Sequence, residues 1–292
     1  MEKFFKLKES GTDVKTELTA GVITFLSMVY ILAINPSILS GCGMDAGAVF
    51  TATAISAAAA TLFMAFFANY PIALASGMGL NAYFSYSVCG QMAAEGISDP
   101  WTVALAAVLV EGIIFILLSL SKFREALVND VPTNLKLGIS TGIGLFIVIV
   151  GLKGAGIVVA DPSTILAMGD IATPSVALAF IGLIAVAVMY HYKVPGYILW
   201  GILLTWILGM IAQACGWYVV DPAAGANSLF PDFSNGIGIS APYLFAFNFD
   251  YISSHLVEFA VIVFAFLFVD LFDTAGTVIG VANKGGMLDE NG

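Results

Sequence analysis

Four acidic residues stand inside long apolar runs: Glu111, Glu258, Asp270 and Asp273. No Lys or Arg lies deep in those runs to pair with them. A carboxylate at the centre of a bilayer costs about 2.5–3.5 kcal/mol on insertion scales, so it persists where it faces a cavity or a partner, or where it carries a proton. The most informative run reads Phe268-Val269-Asp270-Leu271-Phe272-Asp273-Thr274-Ala275-Gly276-Thr277. Asp270 and Asp273 are three apart and Thr277 is seven from Asp270, so all three share one helix face. Two carboxylates and a hydroxyl on one stripe suit a substrate or proton site; the alternative is a polar stripe that only holds helices together. A second run, Pro71 to Phe84, places Gly77 and Gly79 just before Asn81. It makes poor continuous helix and suits a break whose freed backbone groups line a cavity; alternatively, the glycines merely allow close helix packing. Asn81 sits at about the depth of Asp270, and its amide offers both a donor and an acceptor. Tyr30 lies near the centre of the first run. Asn35-Pro36 follows in its outer third, where proline predicts a kink. Glu111 is also at mid-depth, and a structural hydrogen bond to a neighbouring helix is its favoured role. Glu258 lies about 18 Å along the helix axis from Asp270, near the outer surface, and needs no special role.

The elements that must position these residues follow from composition. The chain has 292 residues, of which 60% are hydrophobic and 10% charged. Its mean hydropathy is +0.98. A soluble domain carries roughly 25% charged residues, so this chain cannot cover a water-facing surface, and disorder, collagen and coiled coil fall for the same reason. The net charge of -10 argues against nucleic acid as a partner. The apolar runs are continuous rather than alternating, which excludes a β-barrel. What remains is an all-α polytopic membrane protein in the lipid bilayer. Eight candidate transmembrane helices lie near 18–40, 45–68, 71–90, 101–121, 136–156, 174–190, 195–216 and 256–282. The polar start, with Asp13 and Glu17, does not suit a cleavable signal peptide.

Basic residues set the orientation. With the N-terminus inside, Lys3, Lys6, Lys8, Lys15, Lys122, Arg124, Lys136, Lys193 and Lys284 all fall on the cytoplasmic side, and only Lys153 lies at an outer end. The outer segments hold Asp45, Glu95, Asp99, Asp161, Asp170, Asp221, Asp232 and Asp250. This positive-inside pattern predicts a multi-pass protein of the cytoplasmic membrane with a cytoplasmic N-terminus. Cys42, Cys89 and Cys215 lack metal or redox spacing and read as small buried hydrophobes. His191 and His255, far apart at span edges, read as interfacial, so no metal site is expected. Asp273-Thr274-Ala275-Gly276-Thr277 is superficially like the Asp-Thr-Gly of aspartic proteases, but both aspartates lie on one helix. An intramembrane aspartyl hydrolase, which needs them on two facing helices, is therefore the weaker alternative.

At these residues the sequence resembles a known family, the nucleobase–cation symporters of the AzgA-like purine permease branch. The match runs through Phe5-Lys6-Leu7, Gly11-Thr12 and Thr16-Glu17-Leu18-Thr19-Ala20-Gly21, then Thr24 to Leu32 and Asn35-Pro36. It continues in Gly77 to Phe84 and Phe268 to Thr277. The resemblance implies fourteen helices in two inverted seven-helix repeats, with core and gate domains. It assigns 1–121 to the core, 122–216 to the gate, 217–255 to an outer loop and 256–292 to the start of the second repeat. It implies uptake of hypoxanthine, guanine or adenine by an elevator-type movement, coupled to a proton, with no other cofactor and no enzymatic activity. It further implies a homodimer through the gate. By the same resemblance, Gly79 and Asn81 lie near the purine, Asp270 is the principal carboxylate and Asp273 the acid one turn later. Glu111, Thr277 and Tyr30 are further candidates from depth and spacing. The family's other binding carboxylate lies in the tenth helix, beyond Gly292, which predicts a chain cut short after its eighth helix. The rival readings are a uracil, xanthine or other solute transporter of the same fold, and a regulatory fragment that does not transport.

Overall fold

The computed structural model describes Phe5, Leu7 and residues 11–120, 133–194, 196–220, 228–230 and 240–285. In chain order the helices are α1 Val14–Met28, α2 Ile31–Ser40, α3 Ala46–Phe63, α4 Met78–Ala82, α5 Gly90–Ala94, α6 Pro100–Ser119, α7 Thr133–Gly154, α8 Pro174–His191, α9 Tyr197–Ala214, α10 Asp250–Ser254 and α11 Leu256–Lys284. Wide π-turns at Met64–Ala68 and Tyr83–Cys89 extend α3 and join α4 to α5. Helices dominate because a chain this apolar must satisfy its own backbone where water is absent. Their starts carry expected signals. Asp13 Oδ1 accepts from the Thr16 N–H at 2.8 Å ahead of α1, while Pro100 and Pro174 occupy first-turn positions.

Five segments are long and apolar enough to cross a membrane: Val14–Ser40, Ala46–Ala68, Pro100–Ser119, Pro174–His191 and Tyr197–Ala214. They coincide with the first, second, fourth, sixth and seventh expected spans. The fifth and eighth fall on α7 and α11. The protein is thus a mostly helical multi-pass membrane protein. Two local details differ from expectation. The first span breaks at Val29-Tyr30, between α1 and α2, and Pro36 sits inside α2. The break is a tight turn in which Leu32 and Ala33 N–H bond the carbonyls of Val29 and Tyr30.

The second difference is an antiparallel hairpin, β1 Val158–Asp161 with β2 Ile165–Met168, in register Val158 with Met168 and Asp161 with Ile165. Its turn is built by Asp161. One oxygen of that carboxylate accepts from the Thr164 and Ser163 N–H groups at 2.8 Å each and from the Thr164 hydroxyl at 3.0 Å. The backbone bond from Thr164, then those from Ser163 and the Thr164 side chain, hold the Asp161 carboxyl below its ordinary range. β-branched residues flank Asp161-Pro162, but nothing in the sequence pairs the two sides.

The chain divides into two compact units. One comprises Met1–Ala33, Ala57–Ala75 and Ile149–Ile239, the other Ile34–Ser56, Ser76–Val148 and Ser240–Gly292. In the first, α8 packs on α9 through glycines. A Cβ on Gly182 would meet Thr205 Oγ1, and one on Gly201 would meet Val186 Cγ2, both far inside contact distance. The bare backbones are what let the two helices approach. An apolar groove of about 530 Å³ lies along this pair. The second unit has the aromatic and small-residue core, with Phe84, Val88, Cys89, Met92, Trp101, Val103, Tyr251, Phe259, Val263 and Phe266 buried together.

Candidate functional site

The carboxylates and the broken span meet within the second unit. The break is real. Residues 69–77 have no regular secondary structure, Asn69 ends the preceding helix in a left-handed conformation, and helix begins again only at Met78. Gly77 precedes α4 with φ −74° and ψ 119°, and its carbonyl accepts from the Asn81 N–H at 3.1 Å. α11 packs against α6 and touches α4. The edge-on contact of Tyr83 with Phe266, centroids 5.3 Å apart, and the tilted contact of Phe84 with the same ring fix α11 beside the span-three helix. This seats Asp273 at the break: a Cβ on Gly77 would stand 3.0 Å from Asp273 Oδ2. A side chain at position 77 would press on the Asp273 carboxylate.

Asp270 lies one turn before Asp273 and is half-buried. The Thr274 hydroxyl donates to its Oδ1 at 3.3 Å. Glu111, on α6, is 7% exposed, and its Oε1 has no hydrogen-bond partner among the described residues. It lies within electrostatic reach of Asp270. No hydrogen bond from a neighbouring helix reaches Glu111 Oε1 among the described residues. Glu111 and Asp270 are carried by α6 and α11, which pack together. Glu258 is exposed, as its distance along α11 predicted.

Asn81 is half-buried and held from behind. Its Nδ2 donates to Asn35 Oδ1 at 2.5 Å, and Asn35 Nδ2 donates to Thr53 Oγ1 at 2.6 Å. Asn35 and Thr53 are each only 4% exposed. Gly79 sits in the same turn, with its carbonyl accepting from the Tyr83 N–H. Thr277, expected on the Asp270 stripe, is exposed; Thr274, one turn from Asp270, makes the contact instead. Tyr30 belongs to the first unit and lies in the turn between α1 and α2.

Sequence reasoning passed over Thr53, Thr274 and Ser76, whose buried hydroxyl next to Gly77 has no partner among the described residues. For Thr53 the available signal was weak, since it is one of four hydroxyl residues, with Thr51, Ser56 and Thr61, in an alanine-rich run. For Thr274 it was the spacing of four from Asp270. Cys89 is buried, but Cys42 is only half-buried and Cys215 is exposed, so the buried-hydrophobe reading fails for Cys215. His255 is exposed and stacks on Tyr251, rings 4.5 Å apart and nearly parallel; His191 is exposed against Tyr192. Among the described residues no group of His, Cys, Asp and Glu could hold a metal ion.

The arrangement has a definite chemistry. Acidic groups at mid-span, a break that interrupts a membrane helix, and an oriented amide all suit a small polar solute with N–H groups, or a proton. Nothing in the cluster suits an anion. Fold and site together define a multi-pass membrane transport protein.

The chain belongs to the permease family, whose model matches residues 15–289. It is 42% identical over 287 residues to the guanine/hypoxanthine permease PbuO of Bacillus subtilis, covering 98% of this chain and 63% of that protein. It is 41% identical over 300 residues to the guanine/hypoxanthine permease PbuG of the same organism, covering 100% and 64%. It is 37% identical over 293 residues to the adenine permease AdeP of Escherichia coli, covering 100% and 61%. The chain thus spans less than two thirds of the length of these relatives. The family is one of transporters, so the transporter reading stands and the hydrolase reading does not.

Proposed function

We propose that the protein takes up purine nucleobases, hypoxanthine and guanine or adenine, in symport with a proton. The observation that carries this reading is the approach of Asp273 to Gly77 at the broken span, with Asp270 one turn earlier on the same helix and Glu111 on the helix packed against it. Carboxylates with no Lys or Arg deep in the spans beside them can accept N–H groups from a nucleobase edge, and they can bind a proton. The relatives at 37–42% identity, which are guanine/hypoxanthine and adenine permeases, support the substrate class. Asp270 accepts from the purine and couples to the proton. Asp273 holds the local geometry against Gly77, and Asn81, with the backbone around Gly79, completes the pocket. Transport proceeds by elevator-like movement of a core, 1–121 and 256–292, against a gate, 122–216, with the N-terminus cytoplasmic and dimerisation through the gate.

Uptake of radiolabelled hypoxanthine by cells expressing the protein tests this. Asp270→Ala is expected to reduce uptake to background while the protein still reaches the membrane. Intact uptake in that variant would remove Asp270 from the site. Unlabelled adenine, guanine and hypoxanthine are expected to compete. Competition by uracil or xanthine instead would move the substrate to another solute on the same fold.

A further inference from the structure

The hydrogen-bond chain behind Asn81 has a direction that the protein cannot reverse cheaply. It starts at a backbone carbonyl. The single hydroxyl proton of Thr53 goes to Val49 O at 2.7 Å. Thr53 Oγ is left as an acceptor, so Asn35 must offer its amide N–H₂ at 2.6 Å. Asn35 Oδ1 then points the other way, and Asn81 must offer its own N–H₂ to it. A flipped Asn35 would set its oxygen against Thr53 Oγ, two acceptors facing each other at buried positions, which is the costly arrangement for buried polar groups. Val49, Thr53, Asn35 and Asn81 therefore act as a ratchet on one amide. Asn81 Oδ1 accepts no hydrogen bond from the described residues and is the oxygen left for a ligand.

From this juxtaposition we infer that Asn35 and Thr53 are positioning residues that fix the order of acceptor and donor Asn81 shows to its substrate, and so set which purine edge is accepted. The inference rests on the purine reading above. The six-membered-ring edges of 6-oxopurines and 6-aminopurines are complementary in this respect. One offers N1–H beside O6, the other a bare N1 beside an amino group. An amide locked in one order prefers one of them; an amide free to flip serves both.

The test is the ratio of hypoxanthine to adenine affinity, measured by mutual competition during uptake. Thr53→Val keeps the shape of the side chain and removes the hydroxyl, so Asn35 loses its reference and both amides can turn. Wild type is expected to prefer one purine. Thr53→Val is expected to move that ratio toward one, by roughly tenfold for one hydrogen bond's worth of discrimination, mainly through KM. Thr53→Ser restores the hydroxyl and is expected to restore the ratio. Equal loss of both purines in Thr53→Val, with the ratio unchanged, would show a merely structural threonine and overturn the inference, as would an unchanged ratio with full uptake. Asn35→Asp gives a second arm. It presents oxygen on both sides and is expected to weaken binding of both purines while Thr53→Val does not. Wild type transporting neither purine would instead overturn the purine reading, a distinguishable outcome.

Discussion

Glu111 is the side chain whose surroundings best separate a structural from a coupling role. It is buried on α6 within reach of Asp270, and its Oε1 is unpartnered among the described residues. A buried carboxyl oxygen without a partner costs stability, on the order of 1–3 kcal/mol, and is retained where it does something else. Glu111→Leu is therefore expected to leave thermal stability in detergent unchanged or raised, while abolishing the response of uptake to an imposed pH gradient. A structural glutamate would behave oppositely, with a lowered Tm and a normal gradient response. At this scale the sequence was informative about which carboxylates mattered, because charge in an apolar run is visible by inspection. It did not reveal that Asp273 approaches Gly77 or that Thr274 bonds Asp270. Those depend on how α11 lies against the neighbouring helix and on side-chain rotamers, which helical periodicity leaves open.

The element that matters most is the interrupted third span. Its non-helical stretch, residues 69–77, would strand backbone groups at membrane depth. Thr61, on α3, answers for part of that. Its hydroxyl accepts from the Leu74 N–H at 3.0 Å and donates to the Leu74 carbonyl at 3.2 Å. Thr61→Val is expected to destabilise the protein by about 1–3 kcal/mol, since two backbone groups lose one shared partner. The measurement is thermal unfolding in detergent, paired with faster proteolysis between Tyr70 and Ser76. The break itself was legible from Gly77 and Gly79 in an apolar run, and the hairpin was not. Asp161-Pro162 marks a turn in any fold, and only the pairing of Val158–Asp161 with Ile165–Met168 makes it a hairpin. Nor could proline locate the helix interruption in the first span. Pro36 lies inside α2, and the interruption comes earlier, at Val29-Tyr30, where the Leu32 and Ala33 N–H groups bond the carbonyls three residues back.

For the molecule as a whole, the asymmetry of charge yields a topology that can be checked residue by residue. In a background with Cys42, Cys89 and Cys215 replaced by Ser, Asp161→Cys is expected to react with a membrane-impermeant maleimide on intact cells. Lys193→Cys is expected to react only after permeabilisation. The reverse pattern would invert the orientation. Composition alone determined that this chain is a helical multi-pass membrane protein, because an excess of apolar residues leaves no other solvent for its surface. Spacing alone placed Asp270 and Asp273 on one face and interrupted the third span, because helix geometry converts sequence separation into direction. Only the tertiary structure decided which groups meet: Asp273 with Gly77, Glu111 with Asp270, and Asn81 with Asn35 and Thr53. Those pairs are separated by many residues along the chain. They come together through packing between helices, whose angles and depths depend on the sum of many small contacts rather than on any local pattern.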